Sequence, residues 1–157
     1  SKSVKFNPPR PLNAPVLVLV FNGGQEGLQL SETIQKLSAD IPIVVEGNPI
    51  AIKGLIKKTR GMFGSRFHSL ASALYADVPA IGLGLSHKYE HLYSDLGFTE
   101  GCLSIPFSEN DLRKKLQIIT DEKRNRLVSE SLKRHVDDYK SSSVDMFSDV
   151  NKILLEK

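Results

Sequence analysis

The stretch GMFGSRFHSLASALYADVPAIGLGLSHKYEHLYSDLGF, residues 61–98, decides the fold. Its pattern is turn, small-residue helix, short apolar strand, helix. Phe67, Leu70, Ala71 and Leu74 recur at helical spacing and make one apolar stripe. Ser69, Ser72, Ala73 and Ala76 keep the rest of that surface small, which suits a helix lying close against a sheet. Ser65 is placed as the N-cap, its hydroxyl accepting from a first-turn amide, so the spacing predicts a helix over 65–76. Asp77-Val78-Pro79 ends it, because the residue before proline is pushed out of the helical region. The apolar run 79–85 is the expected strand, and Ser86-His87-Lys88 follow its end.

Outward from this stretch the same alternation continues. Residues 16–21 and 41–46 are short, β-branched and nearly all apolar, as buried parallel strands are. Between them lies a glycine-bearing loop, with Gly23, Gly24 and Gly27, and a helix expected over 28–39 with Leu30, Ile34 and Leu37 on its apolar side. Asn48-Pro49 opens a helix expected over 50–59. Residues 101–106 form a further strand, and Ser108-Glu109-Asn110-Asp111 signals the next helix start. A charged helix is expected over 121–139, a break at Ser141-Ser142-Ser143, and a last helix over 145–155. Residues 1–15, with Pro8, Pro9, Pro11 and Pro15, form a linker or arm. The expectation for 16–157 is a single α/β domain: a Rossmann-like, mostly parallel sheet with helices on both faces. Residues 16–21, 41–46 and 79–85 are its expected inner strands.

The chain has 157 residues, enough for one domain with a substantial core. It is 40% hydrophobic and 25% charged with net charge +3, a composition ordinary for a globular protein. Its basic residues are not interleaved with aromatics as in a nucleic-acid platform, so no nucleic-acid partner is expected. No apolar run reaches membrane-spanning length and no signal-peptide pattern is present, so the expected location is cytoplasmic. Cys102 is the one cysteine, which excludes an intrachain disulfide and fits an inert thiol in a strand. His87 and His91 stand four apart without a carboxylate motif, so neither a metal nor a cofactor is expected.

In an open α/β sheet, ligands sit beyond the carboxyl ends of the strands. The chemistry-bearing residues expected there are Gly23 and Gly24, Ser65 to His68, and Ser86 with Lys88. Free amides and the positive end of a helix dipole attract phosphate or carboxylate, and arginine adds a planar fork for either. The plainer alternative makes Arg66 a surface charge and His68 a packed core histidine. The residues alone leave both readings open.

Ser65-Arg66-Phe67-His68-Ser69-Leu70, then Ala73-Leu74, Asp77-Val78-Pro79-Ala80-Ile81-Gly82-Leu83 and Lys88, resemble the C-terminal half of the polysaccharide pyruvyl transferases. The resemblance covers about 40 residues well. It departs at Asp77, where the family has glycine, and at His87, where a tyrosine is commoner. The resemblance implies the donor-binding lobe of a glycosyltransferase-B-like enzyme. Such an enzyme moves the pyruvyl group of phosphoenolpyruvate onto a saccharide acceptor as a ketal. It implies catalytic roles for Arg66 and His68, and substrate-binding roles for Ser65, Phe67, Ser86 and Lys88. It also implies contact with an N-terminal lobe, or self-association through the last helices.

Two alternatives differ in class. A nucleotide-sugar glycosyltransferase donor lobe needs a ribose-holding carboxylate, for which Glu109 is the candidate. A non-catalytic partner-binding module needs an apolar face and no donor affinity.

Overall fold

The computed structural model describes residues 16–21, 25–37, 39–84 and 86–155. The proline-rich arm and the loop glycines Gly23 and Gly24 lie outside them. The chain divides into two compact units, residues 1–52 and 53–157.

In the first unit, β1 (Val18–Phe21) and β2 (Ile43–Glu46) pair in parallel, with Val18 opposite Ile43 and Phe21 opposite Glu46. The helix α1 (Gln25–Leu37) joins them. The expectation of two inner strands is not met among the described residues. Each strand has a single ladder partner, and Val45 is 53% exposed. The helix also turns differently from its apolar pattern. Leu30 is 60% exposed, whereas Ser31 is buried with its hydroxyl donating to the Leu28 carbonyl. Gly27 faces Val20, and a Cβ there would lie 2.9 Å from Val20 Cγ1. Small residues therefore take the close approach that the leucine stripe was expected to make. The turn after β2 is built from side chains: Glu46 accepts from the Asn48 amide, and Asn48 Oδ1 accepts from the Ile50 amide at 2.9 Å. Asn48 thus opens α2 (Pro49–Ile56), with proline at the first helical position as its missing N–H allows.

The second unit carries the larger sheet. Its strands β3 (Met62–Gly64), β4 (Ala80–Gly84) and β5 (Cys102–Ser104) are all parallel, with β4 in the middle. The inner position expected for residues 79–85 is met. The strand β3 was not expected, since its three residues follow Gly61 and end on Gly64, with the composition of a turn. Its backbone earns the assignment: the Met62 amide donates to the Pro79 carbonyl at 3.0 Å, entering the ladder of β4.

Helix α3 (Phe67–Leu74) links β3 to β4, and α4 (His87–Asp95) with a short 3-10 turn links β4 to β5. Both lie against Gly82, whose missing side chain makes room for Leu70 Cδ1 and for the Tyr93 hydroxyl. That hydroxyl donates to the Ala80 carbonyl at 3.0 Å inside the core. Leu70, Leu74, Ile81, Tyr93 and Leu96 are fully buried around it.

Helix α3 is shorter than expected. It ends at Leu74, and the turn after it places Asp77 in the left-handed region at φ 63°. An aspartate tolerates this conformation better than most residues, and glycine better still.

Helix α5 (Glu109–Thr120) starts as its sequence signals. Ser108 accepts from the Asp111 amide, and Asp111 accepts from the Ser108 amide, a complete capping box. The last element, α6 (Glu122–Leu155), is a single helix of 34 residues. The break expected at the three serines does not occur. Ser143 turns its hydroxyl onto the Tyr139 carbonyl at 2.8 Å, so the helix absorbs it. Val128, Leu132 and Val136 anchor the first half of α6. Beyond Val136 every described residue is exposed, including Met146, Phe147, Val150, Ile153, Leu154 and Leu155. No helix among the described residues is long and apolar enough to cross a membrane.

Candidate functional site

Because β3, β4 and β5 run in one direction, their carboxyl ends share one edge of the sheet. Three helices start there, and their first turns differ. α5 is closed by its capping box. α3 and α4 are not: Arg66 and Ser86 are their N-caps, and neither makes a side-chain capping hydrogen bond. Ser65 was expected to cap α3 but stands one residue too early. Its backbone carbonyl is instead the group put to use, accepting from the Tyr89 hydroxyl at 2.7 Å. The first turns of α3 and α4 therefore start at the sheet edge without a side-chain cap. α4 carries Glu90 in its first turn, whereas α3 has no acidic residue there, so the positive end of the α3 dipole is left without a carboxylate.

The side chains around these turns make one cluster. Phe67 packs edge-on to Tyr89, with ring centroids 5.5 Å apart, and edge-on to His68 at 5.8 Å. The Lys88 ammonium lies 5.2 Å from the Phe67 ring centroid and 5.5 Å from that of Tyr89. The lysine is thus held over two aromatic faces, the arrangement in which a cation is attracted by ring quadrupoles. Arg66, His68, Ser86 and Lys88 are exposed, and Phe67 and Tyr89 are half-buried. Arg66 makes no ion pair among the described residues.

This geometry decides between the alternatives left open by the sequence in one respect: His68 is not a packed core histidine. It brings Ser65, Arg66, Phe67 and His68 together with Lys88, the lysine reached through the aromatic pair. Ser86 sits on the same edge as the cap of α4. Gly23 and Gly24 lie outside the described residues, so their expected part is not placed. His87 is exposed and turns to Glu90 at 3.3 Å, on the helix surface. Among the described residues no group of three or more His, Cys, Asp or Glu side chains is placed to hold a metal ion.

Tyr89 is the residue that sequence reasoning missed. The signal available for it is Gly84, at the end of β4. A Cβ there would meet Tyr89 Cβ at 2.9 Å and Cys102 Sγ at 2.8 Å, so the glycine is what lets the tyrosine lie against the strand end. Cys102 itself is half-buried, and burial together with the nearby Glu90 charge pushes its thiol pKa up. A thiol held protonated is a poor nucleophile, in line with an inert role.

Two clefts among the described residues of the second unit lie at the other end of the strands. One, of about 210 Å³, is lined by Arg60, Asp77, Pro79 and Asn125 among others. Its polar side chains are largely engaged, with Asn125 donating to the Arg60 carbonyl and Ser129 to the Asp77 carbonyl. The other, of about 320 Å³, is crossed by the Arg124–Glu100 ion pair at 2.7 Å. Neither gathers the uncapped helix starts with Arg66 and Lys88, so chemistry rather than concavity points to the β3–β4 edge. No protein-family model, curated protein or solved structure matches the chain.

Proposed function

We propose that the second unit is the donor-binding lobe of a pyruvyl transferase, holding phosphoenolpyruvate at the edge where α3 and α4 begin. One observation carries the proposal. Arg66, exposed and without an ion pair among the described residues, stands at the uncapped start of α3 beside His68, with Lys88 held over the neighbouring Phe67 ring. Phosphoenolpyruvate carries a carboxylate and a phosphate. Two uncapped helix starts and two cations supply complementary charge for both groups. Arg66 grips one anion through its fork, and the first-turn amides with Lys88 hold the other.

In the transfer, two saccharide hydroxyl oxygens bond to the enol-phosphate carbon and its bond to the phosphate oxygen breaks. Of the two hydroxyl protons, one is balanced by the proton that turns the methylene into a methyl group and the other by the proton taken up by the departing phosphate. His68 supplies the proton to the methylene carbon or to the departing phosphate, as an imidazole positioned beside the donor can act as a general acid. In this glycosyltransferase-B-like arrangement the acceptor is held by a second lobe. Glu109, the carboxylate that a nucleotide-sugar reading needs, is engaged with Arg113 at 2.9 Å, which does not favour that reading.

Calorimetric titration with phosphoenolpyruvate against a nucleoside-diphosphate sugar tests the proposal. Arg66→Ala is expected to weaken phosphoenolpyruvate binding about tenfold to a hundredfold, from the loss of a charge-assisted hydrogen bond. Arg66→Lys restores only part, because ammonium lacks the planar fork. His68→Ala leaves binding less affected and abolishes turnover in an enzyme with both lobes. Parent-like binding by Arg66→Ala removes the proposal's physical basis.

A further inference from the structure

The start of α3 has no cap of its own, so something else must set the direction in which Arg66 and His68 point. Three contacts converge on Tyr89, 24 residues after Ser65. Its hydroxyl donates to the Ser65 carbonyl at 2.7 Å. Its ring packs edge-on to Phe67, with an interplanar angle of 89°. Its ring face and that of Phe67 share the Lys88 ammonium. Tyr89 thus touches the residues on both sides of Arg66.

We infer that Tyr89 is a positioning residue: its hydrogen bond to the Ser65 carbonyl and its ring against Phe67 fix the β3–α3 connection so that Arg66 and His68 address the same ligand. The inference rests on the reading of Arg66 and His68 as the anion site. The geometry supports more than a packing role. The Ser65 carbonyl is exposed, so water satisfies it equally well when the phenol is removed. The bond is therefore worth little to stability and is worth more as a restraint on the residue that follows. Gly84 keeps the approach open, since any side chain there collides with the Tyr89 Cβ. Preorganised groups gain affinity because less ordering remains to be done on binding.

Tyr89→Phe removes the hydroxyl and keeps the ring. Phosphoenolpyruvate is titrated into the parent, Tyr89→Phe, Arg66→Ala and the double variant, with a thermal melt of each. Tyr89→Phe is expected to bind about threefold to tenfold more weakly while melting within about 2 °C of the parent, the change expected from one lost exposed hydrogen bond. In the Arg66→Ala background the same substitution is expected to cost much less, because the main anion contact it positions is gone and only His68 remains. That non-additivity is what a merely structural role does not produce. Parent-like affinity for Tyr89→Phe, or a loss that adds in full to that of Arg66→Ala, overturns the role of Tyr89 and leaves the anion site standing. Parent-like affinity for Arg66→Ala overturns the anion site itself.

Discussion

The Tyr93 phenol offers a test of the core in which pH and substitution must agree. Tyr93 is fully buried, its hydroxyl donates to the Ala80 carbonyl, and burial, with smaller contributions from Cys102 and Tyr89, pushes its pKa well above the ordinary tyrosine value. The folded chain therefore keeps this proton when the unfolded chain has begun to lose it. A raised folded-state pKa contributes stability that is whole below about pH 10 and falls as pH rises past it. At pH 11, one unit above the ordinary value, the loss from this single group is about 1.4 kcal/mol. Tyr93→Phe removes that dependence and, at pH 8, costs about 1–2 kcal/mol because the Ala80 carbonyl loses its buried donor. Urea unfolding followed by far-ultraviolet circular dichroism measures both. The gap between parent and variant is expected to close between pH 8 and pH 11. A gap that stays constant across that range refutes the reasoning, since it means the Tyr93 proton is no harder to remove in the folded chain.

Asp77→Gly is expected to raise stability by about 0.5–1 kcal/mol in the same urea assay, because a residue at φ 63° is strained in all but glycine. Ser108→Ala is expected to lower it by about 1 kcal/mol, through loss of the reciprocal bonds that open α5, with no effect on phosphoenolpyruvate affinity.

The central βαβ pattern was legible because its apolar periods change cleanly from helix to strand at Asp77-Val78-Pro79. The start of α5 was legible for a similarly local reason, a serine and an aspartate at capping-box spacing. Two of the misses share a cause: the deciding contact was made by residues distant in sequence. Gly61 has the composition of a turn, yet a side chain there would collide with Ile119 of α5, so the glycine serves close packing beside β3. Ser65 has the right chemistry for a cap, but Tyr89 claims its carbonyl and the helix begins two residues later. The third miss is local: the three serines of α6 have poor helix propensity, yet the helix runs through them, with Ser143 back-bonded to the preceding turn. At the candidate site, residue types pointed to the edge. Which neighbour steadies them depended on Gly84, whose role shows only once Tyr89 is folded against it.

The 34 residues of α6 span about 51 Å at helical rise, but its buried anchors all lie in the first half. Its two halves must then resist opening by different means. Exchange of amide hydrogens around Val128, Leu132 and Val136 requires the core to come apart, and should proceed at the rate of global unfolding. Past Val136 every described side chain is exposed, and the turns are held by helix propagation with only the surface pairs Asp137–Lys140 and Asp149–Lys152 to assist. Protection should therefore decay from Tyr139 toward Leu155 as a continuous gradient rather than a step. The same unwinding would separate Met146, Phe147 and Val150 from the apolar row they share on the intact helix. Any partner that uses that row must also supply the free energy that keeps it helical.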